Sequence, residues 1–159
     1  GELARTGASS GAANSTPAPL ADRLIAVIAR TPDGQRLGFE NELPADLSLP
    51  LSMEALSETL GALIENAARH AVSQVKVSGG RDANGCWLSI ADDGAGIAPH
   101  LRAAALGRGV RLDERGSRHG LGLSIAQDFV MASGGEFELE TADIGGLDVR
   151  ATWPAQPAA

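Results

Sequence analysis

The longest periodic run of hydrophobic residues extends from Met53 to about His70 and predicts an amphipathic helix. The apolar stripe of this helix consists of Leu56, Leu60, Leu63, Ile64 and Ala67. Ser52, directly before the run, has a side chain suited to capping the first helical turn. Hydrophobic residues also recur at helical spacing in the ranges 20–28 and 121–132, and each range is followed by Gly or Pro turn signals.

Alternation of hydrophobic and polar residues predicts strands between these helices. The alternating stretches are residues 37–43, 47–51, 75–77, 87–90, 137–141 and 147–153. A turn around Gly79–Gly85 joins the third stretch to the fourth, and Asp143–Gly146 joins the last two as a hairpin. Because helices and antiparallel hairpins are mixed along the chain, we expect an α+β fold with helices on one face of a sheet.

One folded domain is predicted for residues 20–153 of the 159-residue chain. Residues 1–19 are rich in Gly, Ala, Ser and Pro and contain little to bury, so we expect a flexible lead-in. Residues 154–159 are expected to form a short tail.

Composition and charge exclude several classes of protein. The formal net charge of −7 disfavours nucleic-acid binding through phosphate contacts. Lys76 is the only lysine and lies in a Val-Lys-Val sequence, which excludes a P-loop nucleotide site. Cys86 is the only cysteine, which excludes a disulfide framework and a cysteine-based zinc cluster. No apolar run approaches the roughly 18 residues of a membrane span, so we expect a soluble protein or a soluble piece of a larger one.

Polar side chains border the apolar stripe of the long predicted helix. By the helical repeat, this border consists of Thr59, Ala62, Asn66 and His70. The amide oxygen of Asn66 suits Mg²⁺, which takes oxygen ligands from protein, phosphates and water. The alternative is a helix end with solvated or capping polar groups.

Two glycine-containing segments have the chemistry of a nucleotide site. Asp92 follows a predicted strand and is suited to accept a hydrogen bond from an exocyclic amine, while Gly94 and Gly96 would let the backbone approach a flat base. Gly120 and Gly122 open a predicted helix, where free backbone N–H groups bind phosphate. The alternatives are an ordinary Asp-Gly turn and a glycine-rich helix start needed for packing.

The order and spacing of these segments resemble the ATP-binding catalytic domain of sensor histidine kinases. Glu65-Asn66-Ala67-Ala68-Arg69-His70 corresponds to the N box of that family, Asp92-x-Gly94-x-Gly96 to its first glycine box, and Gly120-Leu-Gly122-Leu to its second. The resemblance covers about residues 20–153. It implies the Bergerat fold, a two-layer α/β sandwich with a mixed, mostly antiparallel sheet, which gyrase B and the heat-shock chaperone ATPases share.

The resemblance also implies roles for individual residues. Asn66 would ligate Mg²⁺, Asp92 would bind the adenine amine of ATP, and Arg111 would hold the γ-phosphate. Arg111 lies in a predicted ATP lid, residues 98–119, which is similar to the lid of PhoQ-type sensor kinases. Glu65, Asn66 and Arg111 are the catalytic candidates, with Glu65 as a base for the incoming histidine. The predicted nucleotide-binding positions are Asn66, Arg69, His70, Asp92, Gly94, Gly96, Ile97, Arg108, Arg111, His119, Gly120, Leu121, Gly122 and Leu123.

The histidines of the chain depart from the family pattern in a way that bears on its partners. None of the chain's three histidines, His70, His100 and His119, is followed by the acidic residue that marks a phosphoacceptor. We therefore expect the acceptor on a dimerisation domain that is missing here, with a response regulator as the further partner.

A second departure from the family pattern is Leu106, which stands where the family often has Phe near the start of the lid. By resemblance the domain should be cytoplasmic and monomeric. Full-length members of the family are usually anchored in the membrane.

Other members of the same fold superfamily provide the alternatives. In gyrase-type and chaperone-type ATPases a glutamate one helical turn before the Asn activates water, and Ala62 occupies that place here. Anti-sigma-factor kinases phosphorylate a protein serine and usually have shorter lids. A degenerate nucleotide-binding partner domain is disfavoured because Asn66, Asp92 and the glycines are all present.

Overall fold

The computed structural model describes residues 13–106 and 118–155, and for residues 118–121 it describes the backbone alone. The helices are α1 (Pro17–Ile28), α2 (Pro32–Gln35), α3 (Met53–His70), α4 (Arg102–Leu106) and α5 (Arg118–Ala132), with a 3₁₀ turn at Pro99–Leu101. The strands are β1 (Gly38–Asn41), β2 (Gln74–Asp82), β3 (Gly85–Asp92), β4 (Glu136–Thr141) and β5 (Leu147–Pro154). None of the helices in these ranges has the length and apolar character needed to cross a membrane.

The strands form one five-stranded sheet in the order β1-β2-β3-β5-β4. β1 pairs with β2 in parallel, and the other pairs, β2–β3, β3–β5 and β4–β5, are antiparallel. This mixed, mostly antiparallel sheet confirms the predicted α+β fold.

The hydrophobic core lies between the sheet and the helices. The apolar stripe predicted for α3 is buried, and Ser52 caps that helix by accepting a hydrogen bond from the N–H of Ala55 at 3.1 Å. Alternate residues of the central strands face the same core, among them Val75, Val77, Leu88 and Ile90. Each such fully buried aliphatic side chain contributes about 1.5–3 kcal/mol to stability, so the α3–sheet contact is the main support of the fold.

The opposite face of the sheet is polar. The Arg150 guanidinium lies 4.7 Å from the centre of the Trp87 ring and also pairs with Asp148 at 3.4 Å. The hydroxyl of Ser89 donates to Asp148 at 2.5 Å. Charged and hydrogen-bonded side chains of this kind belong at a solvent boundary, which agrees with a two-layer arrangement.

The turn between β2 and β3 differs from the prediction. The glycine-rich sequence predicted a turn around Gly79–Gly85, but β2 continues through both early glycines and the turn comprises only residues 83–84. A Cβ atom at Gly79 would lie 2.8 Å from the carbonyl oxygen of Trp87, and one at Gly80 would lie 3.1 Å from the Trp87 indole nitrogen. These glycines therefore make room for tight packing inside the strand.

The stretch predicted as a strand at residues 47–51 is not a regular strand. Leu49 forms only an isolated antiparallel bridge with Ser15. Ser15 is buried, and its hydroxyl donates to the carbonyl of Leu51 at 2.8 Å. This contact packs the chain just before α1, and α1 begins at Pro17 rather than at residue 20, where the folded domain was predicted to begin.

The predicted lid, residues 98–119, is described only at its two ends. Its first part forms the 3₁₀ turn and α4, and Leu106 at the end of α4 packs partly buried against the core. At its other end α5 begins at Arg118, three residues earlier than the predicted start near Leu121.

Candidate nucleotide site

Asn66 places an unpaired oxygen inside the protein. Its side chain is 1% exposed, and its Oδ1 atom has no hydrogen-bond partner among the described residues. Leaving a buried acceptor unpaired costs about 1–3 kcal/mol, so such an atom in a stable fold suggests a ligand that is bound only part of the time. An amide oxygen is a suitable ligand for a hard cation such as Mg²⁺.

The second glycine segment lies against this asparagine. Helix α5 packs on α3, and a Cβ at Gly122 would lie 3.7 Å from the Cβ of Asn66 and 3.5 Å from the carbonyl oxygen of Ala62. The fold therefore brings Gly122, in the segment that resembles the second glycine box, next to Asn66.

Asp92 ends β3 and is held by backbone groups. Its side chain is buried, and Oδ1 accepts hydrogen bonds from the N–H groups of Gly94 at 2.8 Å and Leu147 at 3.3 Å. Burial raises the pKa of this carboxyl, and the two N–H groups and the nearby His70 oppose that rise in part. With Oδ1 engaged, Oδ2 is the atom that can accept a hydrogen bond from a ligand amine.

Glycines let three chain segments meet around Asp92. A Cβ at Gly94 would overlap the carbonyl oxygen of His70, the last residue of α3. A Cβ at Gly146 would overlap the carboxylate of Asp92, and the N–H of Gly146 donates to the Asp92 carbonyl at 3.0 Å. Gly96 has a φ of +72°, a conformation that favours glycine. Gly146 is thus a site residue that the sequence pattern had indicated only as part of a hairpin turn.

His70 connects the two halves of the site. Its Nδ1 lies 2.9 Å from the carbonyl oxygen of Asn66, one helical turn earlier, and its imidazole is near enough to Asp92 to lower the pKa of that carboxyl. Arg69, beside it in the last turn of α3, is partly exposed. His70, the last residue of α3, therefore lies directly against the turn that follows β3, and Asn66 and Arg69 precede it on the same helix end.

The remaining candidates have different surroundings. Glu65 is exposed on α3, and Ile97 is partly buried, with its carbonyl accepting from Arg102 Nε at 2.9 Å. Leu123, predicted at the nucleotide, is fully buried in the hydrophobic core. Arg108 and Arg111 lie outside the described residues. For His119, Gly120 and Leu121 the structure describes the backbone alone.

Comparison with known proteins identifies the family of this chain. Residues 52–157 match the family of histidine kinase-, DNA gyrase B- and HSP90-like ATPases. The sensor protein kinase CarS of Pseudomonas aeruginosa is 43% identical over 123 residues, which is 77% of this chain and 28% of CarS. The two-component sensor PhoQ of the same organism is 31% identical over 84% of this chain and 30% of PhoQ. The chain thus spans less than a third of these relatives.

Solved structures show the same fold. The histidine kinase domain of the E. coli osmosensor EnvZ is 29% identical with a TM-score of 0.65, over 92% of this chain and 91% of that one. The catalytic domain of the histidine kinase ThkA is 18% identical with a TM-score of 0.74, over 91% and 97% of the two chains, and supports the fold alone. The chain belongs to the histidine kinase-, DNA gyrase B- and HSP90-like ATPase family, and it is homologous to the ATP-binding catalytic domain of sensor histidine kinases.

Proposed function

We propose that this chain binds Mg·ATP and donates the γ-phosphoryl group to a histidine on a dimerisation domain outside it. The observation that carries the proposal is the unpaired, buried oxygen of Asn66, on the helix whose last residue contacts the Asp92–Gly94 turn. One group suits a cation and the other suits an adenine amine, so a single nucleotide would bridge them.

Asp92, Gly94 and Gly96 would hold the base. The ionised carboxylate accepts the hydrogen bond of the amine, and the glycines keep side chains away from the ring. Ile97 would supply apolar contact beside the base. Burial of Asp92 strengthens this hydrogen bond, because the surrounding dielectric is lower than that of water.

Asn66 would hold Mg²⁺ together with phosphate oxygens of the nucleotide. Bound Mg²⁺ would supply charge neutralisation on the phosphates during transfer. Arg69 and His70 follow Asn66 on the same helix end, and we propose that they lie along the phosphates. The other residues proposed at the phosphates are Arg108, Arg111, His119, Gly120, Leu121, Gly122 and Leu123. For Leu123 the buried side chain leaves only the backbone for that contact.

Glu65 is the proposed base for the acceptor histidine. It is exposed and precedes Asn66 on α3, so a histidine presented by another domain would have access to it. Phosphoryl transfer requires positioning and charge stabilisation more than covalent chemistry, which agrees with a domain that supplies a metal ligand and arginines. The proposed partners are this dimerisation domain and a response regulator. We propose a cytoplasmic, monomeric domain.

The test of the metal site compares two asparagines. We expect Asn66→Ala to abolish the Mg²⁺ dependence of fluorescent ADP binding, because the cation loses its protein ligand. Asn41→Ala is the matched control, since the Asn41 amide donates to Ala18 and Asp22 far from the proposed site. It should leave Mg²⁺-dependent binding unchanged. Equal Mg²⁺ dependence in wild type and Asn66→Ala would remove Asn66 from the site.

The test of the reaction is phosphotransfer from labelled ATP to a supplied dimerisation domain of a related sensor kinase. We expect acid-labile, base-stable phosphate on its histidine, and loss of transfer with Asn66→Ala. Transfer to a serine of a sigma-factor regulator would favour the anti-sigma-factor kinase instead. Sustained ATP hydrolysis without a partner would favour the gyrase-type ATPases.

A further inference from the structure

Asp93, the residue after the proposed adenine-binding carboxylate, makes a dense set of hydrogen bonds. Its Oδ1 accepts from the backbone N–H groups of Val72 at 2.9 Å, Ser73 at 2.9 Å and Gln74 at 3.0 Å. Its Oδ2 accepts from the hydroxyl of Ser73 at 2.6 Å. Desolvation alone would raise the pKa of Asp93, but hydrogen bonds from Ser73 and the neighbouring N–H groups hold it well below the usual range.

These partners form the link between α3 and β2. Residues 72–74 follow the end of α3 almost directly, and β2 begins at Gln74. Asp92 and Asp93 accept hydrogen bonds from different segments. Asp92 accepts from the N–H groups of Gly94 and Leu147, and Asp93 accepts from those of the link. Gly94 then contacts the carbonyl of His70. Asp93 therefore ties the end of β3 to the link that directly follows the helix, and Gly94 lies against the last residue of the helix.

We infer that Asp93 is a positioning residue, whose carboxylate fixes the end of α3, which carries Asn66, against the end of β3, which carries Asp92. The inference rests on the proposed nucleotide site. A ligand that contacts both ends depends on their spacing, whereas a ligand that contacts only the adenine end does not. Preorganisation of this kind raises affinity by lowering the cost of ordering the site.

The experiment measures two ligands on each variant, Mg·ADP by calorimetry and adenosine by NMR titration. For Asp93→Ala we expect Mg·ADP affinity to fall about tenfold while adenosine affinity changes less than about twofold. Asp93→Asn should keep most of the wild-type affinity for Mg·ADP. Its amide oxygen still accepts the backbone N–H groups and its NH₂ donates to the Ser73 hydroxyl. Asp93→Ser, with one short acceptor, should show an intermediate loss with the same selectivity if Asp93→Ala does not fold.

The matched control is Asp82, a carboxylate that also accepts a backbone N–H, from Asn84 at 2.8 Å, at the far end of the β2–β3 hairpin. Asp82→Ala should lower the melting temperature and leave both affinities unchanged. Equal loss of both ligands with Asp93→Ala, or wild-type Mg·ADP affinity in the folded variant, would overturn the inference. The inference about Asp93 can fail while the proposed function stands. This is the case if Asp93→Ala gives one of these results while wild type binds Mg·ADP and Asp92→Asn does not. If wild type itself does not bind Mg·ADP, both fail.

Discussion

At the scale of single residues, Asp92 is a buried carboxylate of which only one oxygen is held by backbone groups. Two backbone N–H groups donate to Oδ1, so Oδ2, the other carboxylate oxygen, determines which ligand group can bind here. An ionised carboxylate presents an acceptor there, and the exocyclic amine of adenine is a donor. Burial of this charge carries a desolvation cost, so Asp92 does not stabilise the fold through its charge, and a binding role is the proposal.

Asp92→Asn should separate binding from stability. If the amide oxygen keeps the two backbone hydrogen bonds, the NH₂ group replaces Oδ2 and faces the donor of the base. We expect ADP affinity to fall about 10- to 100-fold, since a mispaired buried polar group costs about 1–3 kcal/mol. The melting temperature should be equal to or above that of wild type. Unchanged affinity in a folded variant would contradict the assignment of Asp92.

Nucleotide binding should weaken as the pH falls. Because burial raises the pKa of Asp92, its carboxylate gains a proton at a higher pH than the usual value of about 3.9, and the protonated group no longer accepts from the amine. The stability effect has the opposite sign. The folded state favours the neutral carboxyl, so the cost of ionisation appears as the pH rises through the raised pKa.

Two measurements check this pH dependence. ADP affinity of wild type should fall with decreasing pH as Asp92 takes up a proton, while the remaining binding of Asp92→Asn should lack that step. The gain in melting temperature of Asp92→Asn over wild type should shrink as the pH falls below the raised pKa. Parallel pH profiles for the two proteins would assign the step to another group.

How far the sequence predicts the site depends on the kind of residue. Asn66 and Asp92 carry distinctive side chains at recognisable places on a helix and after a strand, so both could be singled out from the sequence. Gly146 and Asp93 were not found, because a Gly-Gly pair and an Asp-Gly pair are ordinary turn sequences. Their importance comes from contacts with distant segments, at His70, Asp92 and residues 72–74, which only the folded chain brings near.

At the scale of elements, the site is a junction of the end of α3, the end of β3 and the start of β5. Gly94 lies where β3 approaches α3, and no side chain fits there because the His70 carbonyl occupies the space. The same reasoning explains the early glycines of β2, which local sequence assigned to a turn. Turn propensity is local, whereas the packing of Trp87 on the neighbouring strand is not, and packing determined the outcome.

Gly94→Ala tests the junction. The new methyl group would force the end of α3 away from β3, so we expect a loss of at least about 2 kcal/mol in the free energy of unfolding, together with weaker ADP binding. Gly38→Ala is the control, because a Cβ there would have only the Ser73 carbonyl oxygen near it, at 3.8 Å. Chemical denaturation and ADP titration of both variants provide the measurement. A Gly94→Ala protein as stable as Gly38→Ala would show that the close approach is not required.

At the scale of the whole molecule, one sheet with helices on a single face brings together groups that are far apart in the sequence. The helical and strand periodicities predicted this architecture, because each buried face has a regular apolar pattern. They did not predict the bridge between Ser15 and Leu49, since a single pair of residues leaves no periodic signal.

The most direct test of the account is a crystal structure of this chain with Mg²⁺ and a non-hydrolysable ATP analogue. We predict the adenine amine within hydrogen-bond distance of Asp92 and the metal bound through Oδ1 of Asn66, with the phosphates passing along the end of α3. A nucleotide bound elsewhere on the chain, or a metal held without Asn66 while the base lies away from Asp92, would contradict the account.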